Sequence, residues 1–398
     1  MPTEISDFSF LRAAIALPIL AWVISTVVVW LSIRYAHARR LIDQPGQRRS
    51  HTSPTPRGGG IGIVIAVLLC FCAPMFFSTQ ESIRIFGVSV AIALVMVAAV
   101  GWIDDHRPLS ARVRVVVHFL AALILLGLPL LFMPKAALPA GAFDVTFVPL
   151  AACFIAILAT LIVWSINLHN FMDGINGLLA CQAIFVFVAL ALACANAGNS
   201  AGATQLFALA AATLGFLPFN FPRARIFMGD VGSGALGLLI AIALGLALDI
   251  GHPALFTGII ACSGFITDAT CTLLSRMLRG RRWYSAHREH LYQWMTRSGM
   301  SHIRVVAWYM AWNLCVIAPV LWWINRLPVF THGYINSIDN VGAAVLIETS
   351  DPAALSPFSN PGYIEAAVVY ALAIVLWIFG KRWCLHRMKS SQHSHAAA

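Results

Sequence analysis

The sequence predicts an all-α polytopic membrane protein with about eleven transmembrane helices. Three observations support this fold class. Of the 398 residues, 60% are hydrophobic and only 11% are charged, whereas soluble domains carry roughly 25% charged residues. The mean hydropathy is +0.81. The apolar residues fall into repeated runs of about 20, which is long enough to cross roughly 30 Å of hydrocarbon as helices.

Eleven apolar runs define the predicted spans. The seventh and eighth are short and rich in glycine and alanine, so we expect them to pack inside the bundle. The first run is too long for a signal-peptide core and lacks a convincing cleavage site, so it is predicted to be a retained span. The spans cover roughly 10–33, 59–77, 86–103, 113–133, 148–168, 177–197, 204–219, 233–249, 254–275, 305–325 and 364–380.

The basic residues predict the orientation of the bundle. Of the 26 Lys and Arg residues, 22 fall on one side, in connections that follow odd-numbered spans and in the C-terminal tail. Because basic residues mark the cytoplasmic side, the N-terminus is predicted outside and the C-terminus in the cytoplasm. The net charge of +10 is explained in this way, and no nucleic-acid partner is expected.

The chain is predicted to form one integral membrane domain over 1–389, followed by a disordered tail over 390–398. The unusual polar residues all lie in loops that the orientation places on the cytoplasmic face. A protein with its unusual groups at one interface is expected to work at that interface. These loops cover about 34–58, 104–112, 168–176, 220–232 and 276–304.

Two adjacent carboxylates, Asp104 and Asp105, end the third span. They repel each other and lie at the negative end of a helix dipole, so a bound cation or a proton would stabilise them. Hard cations such as Mg²⁺ bind carboxylate oxygens and share them with phosphates. A solvated helix terminus is the structural alternative.

Two further segments place acids at span ends. Asn167, Asn170 and Asp173 lie at positions i, i+3 and i+6, so on a helix they fan over one face and are expected to converge on one ligand. Asp230 stands among glycines at a helix start, where N–H groups and a carboxylate together suit a metal-bound phosphate. A simple helix cap is the alternative at each position.

Basic segments and one further acid complete the candidates. The stretch 50–60 combines prolines, Arg57 and glycines, and is interpreted as a phosphate or nucleotide site or as a bare basic loop. His287-Arg-Glu-His290 offers good pyrophosphate partners, with binding of anionic lipid as the alternative. Asp268 lies within the ninth span, where a functional role and an ion pair with Arg276 or another loop arginine both remain open.

These motifs together resemble a known family, the polyprenyl-phosphate N-acetylhexosamine-1-phosphate transferases, which includes the phospho-MurNAc-pentapeptide translocases. The resemblance covers about residues 40 to 305 and rests on five motifs in order along the chain. They are Pro54-Thr-Pro-Arg-Gly-Gly59, Asp104-Asp105, Asn167-x-x-Asn-Phe-Met-Asp-Gly174, Phe227-Met-Gly-Asp-x-Gly-Ser233 and the stretch His287–Gln293.

The resemblance implies an enzyme of the bacterial inner membrane whose active site faces the cytoplasm. It implies transfer of a sugar-1-phosphate from a UDP-N-acetylhexosamine to undecaprenyl phosphate within the membrane lipid, giving the lipid diphosphate sugar and UMP. Mg²⁺, or Mn²⁺ in its place, is the implied cofactor. The implied pathway is the start of a cell-surface glycan, such as the O-antigen of lipopolysaccharide. A homodimer and a covalent intermediate both remain open.

The resemblance also implies roles for individual residues. Asp230 and Asp105 would bind the metal, and Asp104 is the candidate base. The implied catalytic residues are Asp104, Asp105, Asp173, Asp230 and His290. The implied substrate-binding residues are His51, Arg57, Asn167, Asn170, Gly174, Asn176, Phe227, His287 and Arg288.

Two departures from the family pattern affect what the resemblance implies about the branch of the family and about substrate contacts. The last loop has His-Arg-Glu-His-Leu-Tyr-Gln where many members carry histidine-rich runs, which resembles the branch that starts surface glycans. Asn176 stands where many members have aspartate. Its amide can still form hydrogen bonds with a nucleobase, but it lacks the negative charge of the carboxylate. A cation-coupled transporter and a lipid-binding scaffold are the other classes considered, and release of UMP distinguishes the transferase from both.

Overall fold

The computed structural model describes residues 3–39, 42–43, 54–132, 147–281, 287–326 and 362–396. These residues form helices and one small antiparallel pair of strands, which confirms the predicted all-α class. The strands are β1 (Ile42–Asp43) and β2 (Thr55–Pro56). The helices are α1 (Thr3–Ala38), α2 (Ile61–Phe76), α3 (Glu81–His106), α4 (Ala111–Phe132), α5 (Phe147–Met172), α6 (Leu178–Asn196), α7 (Ser200–Asn220), α8 (Asp230–Ile250), α9 (His252–Ala261), α10 (Ser263–Leu278), α11 (Leu291–Arg297), α12 (His302–Ile324) and α13 (Tyr363–Ala396).

Within the described ranges, nine helices are long and apolar enough to cross a membrane. Helices α9 and α10 add a tenth candidate span, although they are bent by 58° relative to each other. Helix α2 is apolar but shorter. The chain is therefore a multi-pass membrane protein, while the count of eleven spans and the orientation of the termini stay predictions.

The predicted span over 254–275 consists of two helices rather than one. The chain leaves the helix at Cys262, and α10 starts again at Ser263 in a new direction. Adjacent serine and glycine residues are a recognised cause of helix kinks, and Ser263-Gly264 lies at this break. The bend matters because α10 carries Asp268 and Arg276 toward the loop that precedes α11.

Helix α8 is the centre of the bundle. Its most apolar window is 72% buried, and it packs against α2, α3, α5, α6 and α9. This confirms that the glycine- and alanine-rich eighth span lies inside. Gly60 and Gly232 let the starts of α2 and α8 touch, because a Cβ on either residue would overlap the backbone of the other.

Helices α1 and α13 lie at the periphery. Helix α1 packs on α7 and α2, and α13 packs on α10 and α11. Helix α13 continues to Ala396, past residue 390, where the disordered tail was predicted to begin. Once a helix is formed, each added residue extends it at little cost, and this explains why the polar end of the chain remains helical.

Candidate active site

An arginine joins two of the predicted acidic segments. Arg114, in the first turn of α4, donates from one nitrogen, Nη1, to Asp104 Oδ2 at 3.1 Å and to Asp230 Oδ2 at 2.9 Å. The other oxygen of Asp104 accepts from the N–H of Leu109 at 2.6 Å. The end of α3, the start of α4 and the start of α8 therefore meet at one end of the bundle, as the sequence predicted for the acids.

The second carboxylate of the pair has a different function. Asp105 accepts from the N–H of Asp230 at 3.1 Å and from the N–H of Val231 at 3.3 Å. It therefore caps α8, where a negative charge is stabilised by the positive end of the helix dipole. The two adjacent acids avoid mutual repulsion because Asp104 binds a guanidinium group while Asp105 binds a helix N-terminus. The metal-binding role of Asp105 stays a prediction.

The proline- and glycine-rich segment before α2 lies alongside the segment before α8. The N–H of Phe227 donates to Pro56 O at 2.8 Å, and the N–H of Gly59 donates back to Phe227 O at 2.9 Å. This pairing holds Arg57 near the carboxylates. His51, which was predicted to assist the nucleotide, lies outside the described residues.

Asp173, just after α5, joins the acidic cluster. Burial raises the pKa of Asp173 well above its usual value, and the nearby charges of Asp230 and Asp105 raise it further, while Arg57 acts in the opposite direction. Such mutual destabilisation is expected where carboxylates share a site for a cation.

The asparagines of this motif separate into two groups. Asn170 donates to Ser233 Oγ at 2.9 Å and so joins the end of α5 to the first turn of α8. Asn167 instead donates to Val163 O at 2.7 Å within its own helix, and no contact brings it to the carboxylates in the described part of the chain. Its predicted substrate contact stays a prediction.

Asn176 lies at the edge of the site and donates to Pro222 O at 3.4 Å. The connection between Asn176 and α6 is held by Asn220, a buried residue that sequence reasoning missed. Asn220 accepts from the N–H of Gly177 at 2.6 Å and donates to Ile226 O at 3.0 Å. It therefore fixes the start of α6 to the segment that leads to Asp230.

The histidine-containing loop packs directly on the end of α5. Tyr292 donates from its hydroxyl to Phe171 O at 2.9 Å, and a Cβ on Gly174 would overlap the Tyr292 ring. The His290 ring stacks on Phe171 with centroids 6.2 Å apart, and the His287 ring lies 5.0 Å from His290. This loop and the Asp173 motif therefore form one surface.

Burial shifts the pKa of both histidines in the direction that favours the neutral imidazole. Burial lowers the pKa of His287 to about 4, helped by the adjacent His290. Burial likewise lowers the pKa of His290, although Asp268 opposes the change. A diphosphate at this surface would therefore meet imidazole N–H groups rather than imidazolium ions, and positive charge would come from arginines such as Arg288.

The glutamate between these histidines has a structural role. Glu289 forms ion pairs with Arg276 and with Arg281, the latter at 3.0 Å. Burial acts to raise the pKa of Glu289, but these two arginines outweigh it and hold the pKa below its usual value. Glu289 therefore anchors the loop to the end of α10.

Asp268 is a structural hub, and in the described part of the chain the carboxylate that pairs with Arg276 is that of Glu289. The buried carboxylate of Asp268 accepts hydrogen bonds from five donors on α10, α11, α12 and α13. They are Thr272 Oγ1, Leu291 N, Tyr292 N, Tyr309 Oη and Trp377 Nε1. Asp268 thus caps α11 and holds the loop that carries His287 and His290.

This network makes a prediction about stability. We expect Asp268→Ala to lower the apparent Tm of the purified protein strongly, because hydrogen bonds to a charged group are worth roughly 1.5–3 kcal/mol each. Tyr309→Phe removes a single donor, so it should lower the stability only by the contribution of one hydrogen bond. Thermal unfolding in detergent measures both variants. An Asp268→Ala protein no less stable than Tyr309→Phe would contradict the structural role.

Known proteins resemble this chain over most of its length. A model of glycosyl transferase family 4 matches residues 85–247. The decaprenyl-phosphate N-acetylglucosaminephosphotransferase of Mycobacterium tuberculosis is 30% identical over 294 residues, which cover 67% of this chain and 72% of that protein. The chain belongs to glycosyl transferase family 4. As a member of this family it is an enzyme of the sugar-1-phosphate transferase class.

Two other relatives are similar over a comparable share of the chain. A probable undecaprenyl-phosphate N-acetylglucosaminyl 1-phosphate transferase of Bacillus subtilis is 27% identical over 73% of this chain and 80% of its own length. The undecaprenyl-phosphate alpha-N-acetylglucosaminyl 1-phosphate transferase of Yersinia pestis is 27% identical over 66% of this chain and 71% of its own length. The region matched by the family model contains Asp104, Asp105, Asp173 and Asp230.

Arg114 is the main residue of this family 4 site that sequence reasoning missed. It was counted only as a loop arginine that marks the cytoplasmic side. A signal was present, because a positive charge in the first turn of a helix is opposed by the dipole, and such a residue needs a compensating partner. The partners, Asp104 and Asp230, are visible only in the folded chain.

The donor set of the family 4 site fits Mg²⁺. Among the described residues, no group of three or more His, Cys, Asp or Glu side chains is arranged to hold a metal ion. Mg²⁺ needs fewer protein side chains than this. It is commonly bound by one or two carboxylates, while water and substrate phosphates complete its coordination shell. Asp230 and Asp105, the two predicted ligands, meet at the start of α8, where the N–H of Asp230 donates to Asp105 Oδ1.

Proposed function

We propose that the chain transfers an N-acetylhexosamine-1-phosphate group from a UDP-sugar to undecaprenyl phosphate, giving undecaprenyl-diphosphate-sugar and UMP. The observation that carries the proposal is the convergence of Asp104, Asp173 and Asp230 with Arg114 at one end of a membrane bundle. A soluble donor and a lipid acceptor meet at such an interface. The names of the family 4 relatives support the polyprenyl phosphate acceptor and the N-acetylglucosamine group.

In this reaction an oxygen of the lipid phosphate attacks the sugar-bound phosphorus of the donor. A bond forms between them, the phosphoanhydride bond breaks, and UMP leaves with the electron pair. Asp104 accepts the proton of a monoprotonated lipid phosphate, and Arg114 offsets the negative charge of the entering phosphates. Asp105 keeps α8 in place, so that its N-terminal turn presents Asp230.

Mg²⁺ would be held by Asp230 and Asp105 and would supply neutralisation of the diphosphate charge. Asp173 and Asn170 form the floor of the site beside these acids. His287, His290 and Arg288 line the adjacent surface, where they would contact the diphosphate or the sugar. Arg57 and Phe227, which belong to the two segments joined by the backbone pairing before α8, would contact the nucleotide.

Purified protein tests the function directly. We expect UMP release from a UDP-N-acetylhexosamine only when undecaprenyl phosphate and Mg²⁺ are both present, and EDTA should abolish it. A coupled nucleotide assay measures the rate, and mass spectrometry identifies the lipid product. UMP release without the lipid would indicate a hydrolase. No UMP release with any donor would contradict the proposal and favour the transporter alternative.

A donor panel tests the pathway assignment. The loop His-Arg-Glu-His-Leu-Tyr-Gln supports an initiating enzyme of a surface glycan such as O-antigen, working at the cytoplasmic face of the inner membrane. UDP-GlcNAc, UDP-GalNAc and 6-deoxy UDP-sugars should be compared by kcat/KM. A clear preference identifies the hexosamine that the glycan begins with.

A further inference from the structure

A cleft of about 690 Å³ lies between α10 and α11 on one side and α12 and α13 on the other. Its walls are apolar and rich in aromatic rings, including Trp308, Trp312, Trp377 and Phe379. Trp308 and Phe379 are each 63% exposed, so the cleft is open along one side. Because α12 and α13 are apolar enough to cross a membrane, this open side faces hydrocarbon.

The length of the cleft matches one leaflet of a bilayer. Its lining runs from Ala373 to Cys384 on α13 and from Trp308 to Val316 on α12. At about 1.5 Å per residue these stretches are roughly 16 Å and 12 Å long. Half of a hydrocarbon core is about 15 Å thick. A single hydrocarbon chain lying along the helices would fill the cleft.

Cations lie at the end of the cleft that is nearer to the active-site loop. The Arg387 guanidinium lies 5.3 Å from the ring centroid of Trp383, and Lys381 Nζ lies 4.4 Å from that of Trp377. Both rings line the cleft. The carboxylates nearby are already engaged, Asp268 by its five donors and Glu289 by two arginines. This end therefore favours a negative head group.

The cleft is distinct from the carboxylate cluster. Asp104, Arg114 and Asp230 belong to α3, α4 and α8, and none of these helices contributes a residue to the lining. The hub residue Asp268 does line the cleft, together with Leu291, which it caps. A chain in the cleft would therefore touch the support of the His287–His290 loop rather than the reacting groups.

We propose that this cleft binds one hydrocarbon chain of an anionic glycerophospholipid of the bilayer, with the lipid phosphate facing Arg387. The bound chain packs against Asp268, Tyr309 and Trp377 and so stabilises the network that holds α11. This site goes beyond the proposed phosphotransfer reaction and does not depend on it. Binding is therefore tested separately from activity.

Lipid retention tests the cleft. The full chain is purified from nanodiscs that contain phosphatidylcholine with a minority of phosphatidylglycerol, and retained lipid is measured by native mass spectrometry. We expect phosphatidylglycerol on the wild type and its loss from Ala311→Trp, because the indole would fill the cleft. The matched control is Ala307→Trp, which places the same side chain at an exposed position one turn earlier on α12, outside the lining. Equal retention by the two variants would overturn the proposal.

The head-group contact is tested by a second pair on α13. Arg387→Gln should weaken retention of phosphatidylglycerol roughly fivefold, while Lys389→Gln, on the same helix but without a ring that lines the cleft, should not. Equal retention of phosphatidylcholine and phosphatidylglycerol by the wild type would overturn the anionic specificity. Preferential retention of undecaprenyl phosphate when it is added to the same nanodiscs, or release of a second copy of the chain by Ala311→Trp, would also overturn the proposal.

Discussion

Replacing Asp230 by asparagine is expected to lower the rate of UMP release by at least about a hundredfold. A metal ion supplies several kcal/mol of charge stabilisation in such reactions, which corresponds to this factor or more. The amide keeps the size of the side chain and can still accept a hydrogen bond from Arg114, but it removes the negative charge that would bind Mg²⁺. The rate is measured with saturating lipid over a titration of Mg²⁺, and we expect the remaining activity to need more metal.

The matched control for Asp230→Asn is Glu81→Gln. Glu81 is at the opposite end of α3 from Asp104, its side chain is 71% exposed, and it lies 4.0 Å from Arg84. Neutralising it changes the charge of the protein by the same amount but should leave the rate and the Mg²⁺ dependence unchanged. Near-normal rates for Asp230→Asn, in a protein with the wild-type Tm, would remove Asp230 from the metal site.

Gly229→Ala is expected to reduce activity by about a hundredfold, because displacing a site by about 1 Å costs this much. Gly229 precedes α8 with φ +75°, and a Cβ there would lie 2.9 Å from Asp105 Cγ and overlap the carboxylate. The methyl group would push Asp105 away from the N–H groups of Asp230 and Val231. The start of α8, and Asp230 with it, would then shift relative to Asp104.

Gly198→Ala separates this clash from backbone strain. Gly198 has φ +79°, similar to Gly229, but a Cβ there would meet no atom within 4 Å. Alanine at Gly198 pays a left-handed strain of about 1–2 kcal/mol. Alanine at Gly229, where ψ is 170°, pays about 1–3 kcal/mol, so both variants should lose some stability in a thermal unfolding assay. Only Gly229→Ala should lose activity. Equal activity loss in the two variants would show that strain, and not the displacement of Asp105, is responsible.

The sequence predicted the fold class and the end of the bundle where the unusual groups meet. Apolar runs near 20 residues predict helices because a backbone in hydrocarbon must satisfy its own hydrogen bonds. Asp104 and Asp230 were expected to meet because each lies at the end of a span, and the shared contact with Arg114 confirms it. The roles of these acids in metal binding and catalysis stay predictions.

Other features depend on pairings that no local pattern specifies. The bend between α9 and α10 lies inside an apolar run, so the hydropathy pattern does not reveal it. Arg114 and Asp230 are 116 positions apart, and their contact depends on how α3 and α5, which pack against both α4 and α8, bring the two helix starts together. Asp268 is joined to Trp377 across 109 positions. The sequence left the role of Asp268 open because the identity of its donors depends on four packed helices.

The amino-acid sequence by itself therefore determined that this is a membrane bundle with acids and amides at its helix ends, because solvation in hydrocarbon restricts where such residues can lie. The tertiary structure decided what each acid does. Asp104 binds Arg114, Asp105 caps α8, and Asp268 holds the loop beside the site. These assignments follow from which donors the packing brings within 3.5 Å, since a carboxylate is stabilised only by the groups that contact it.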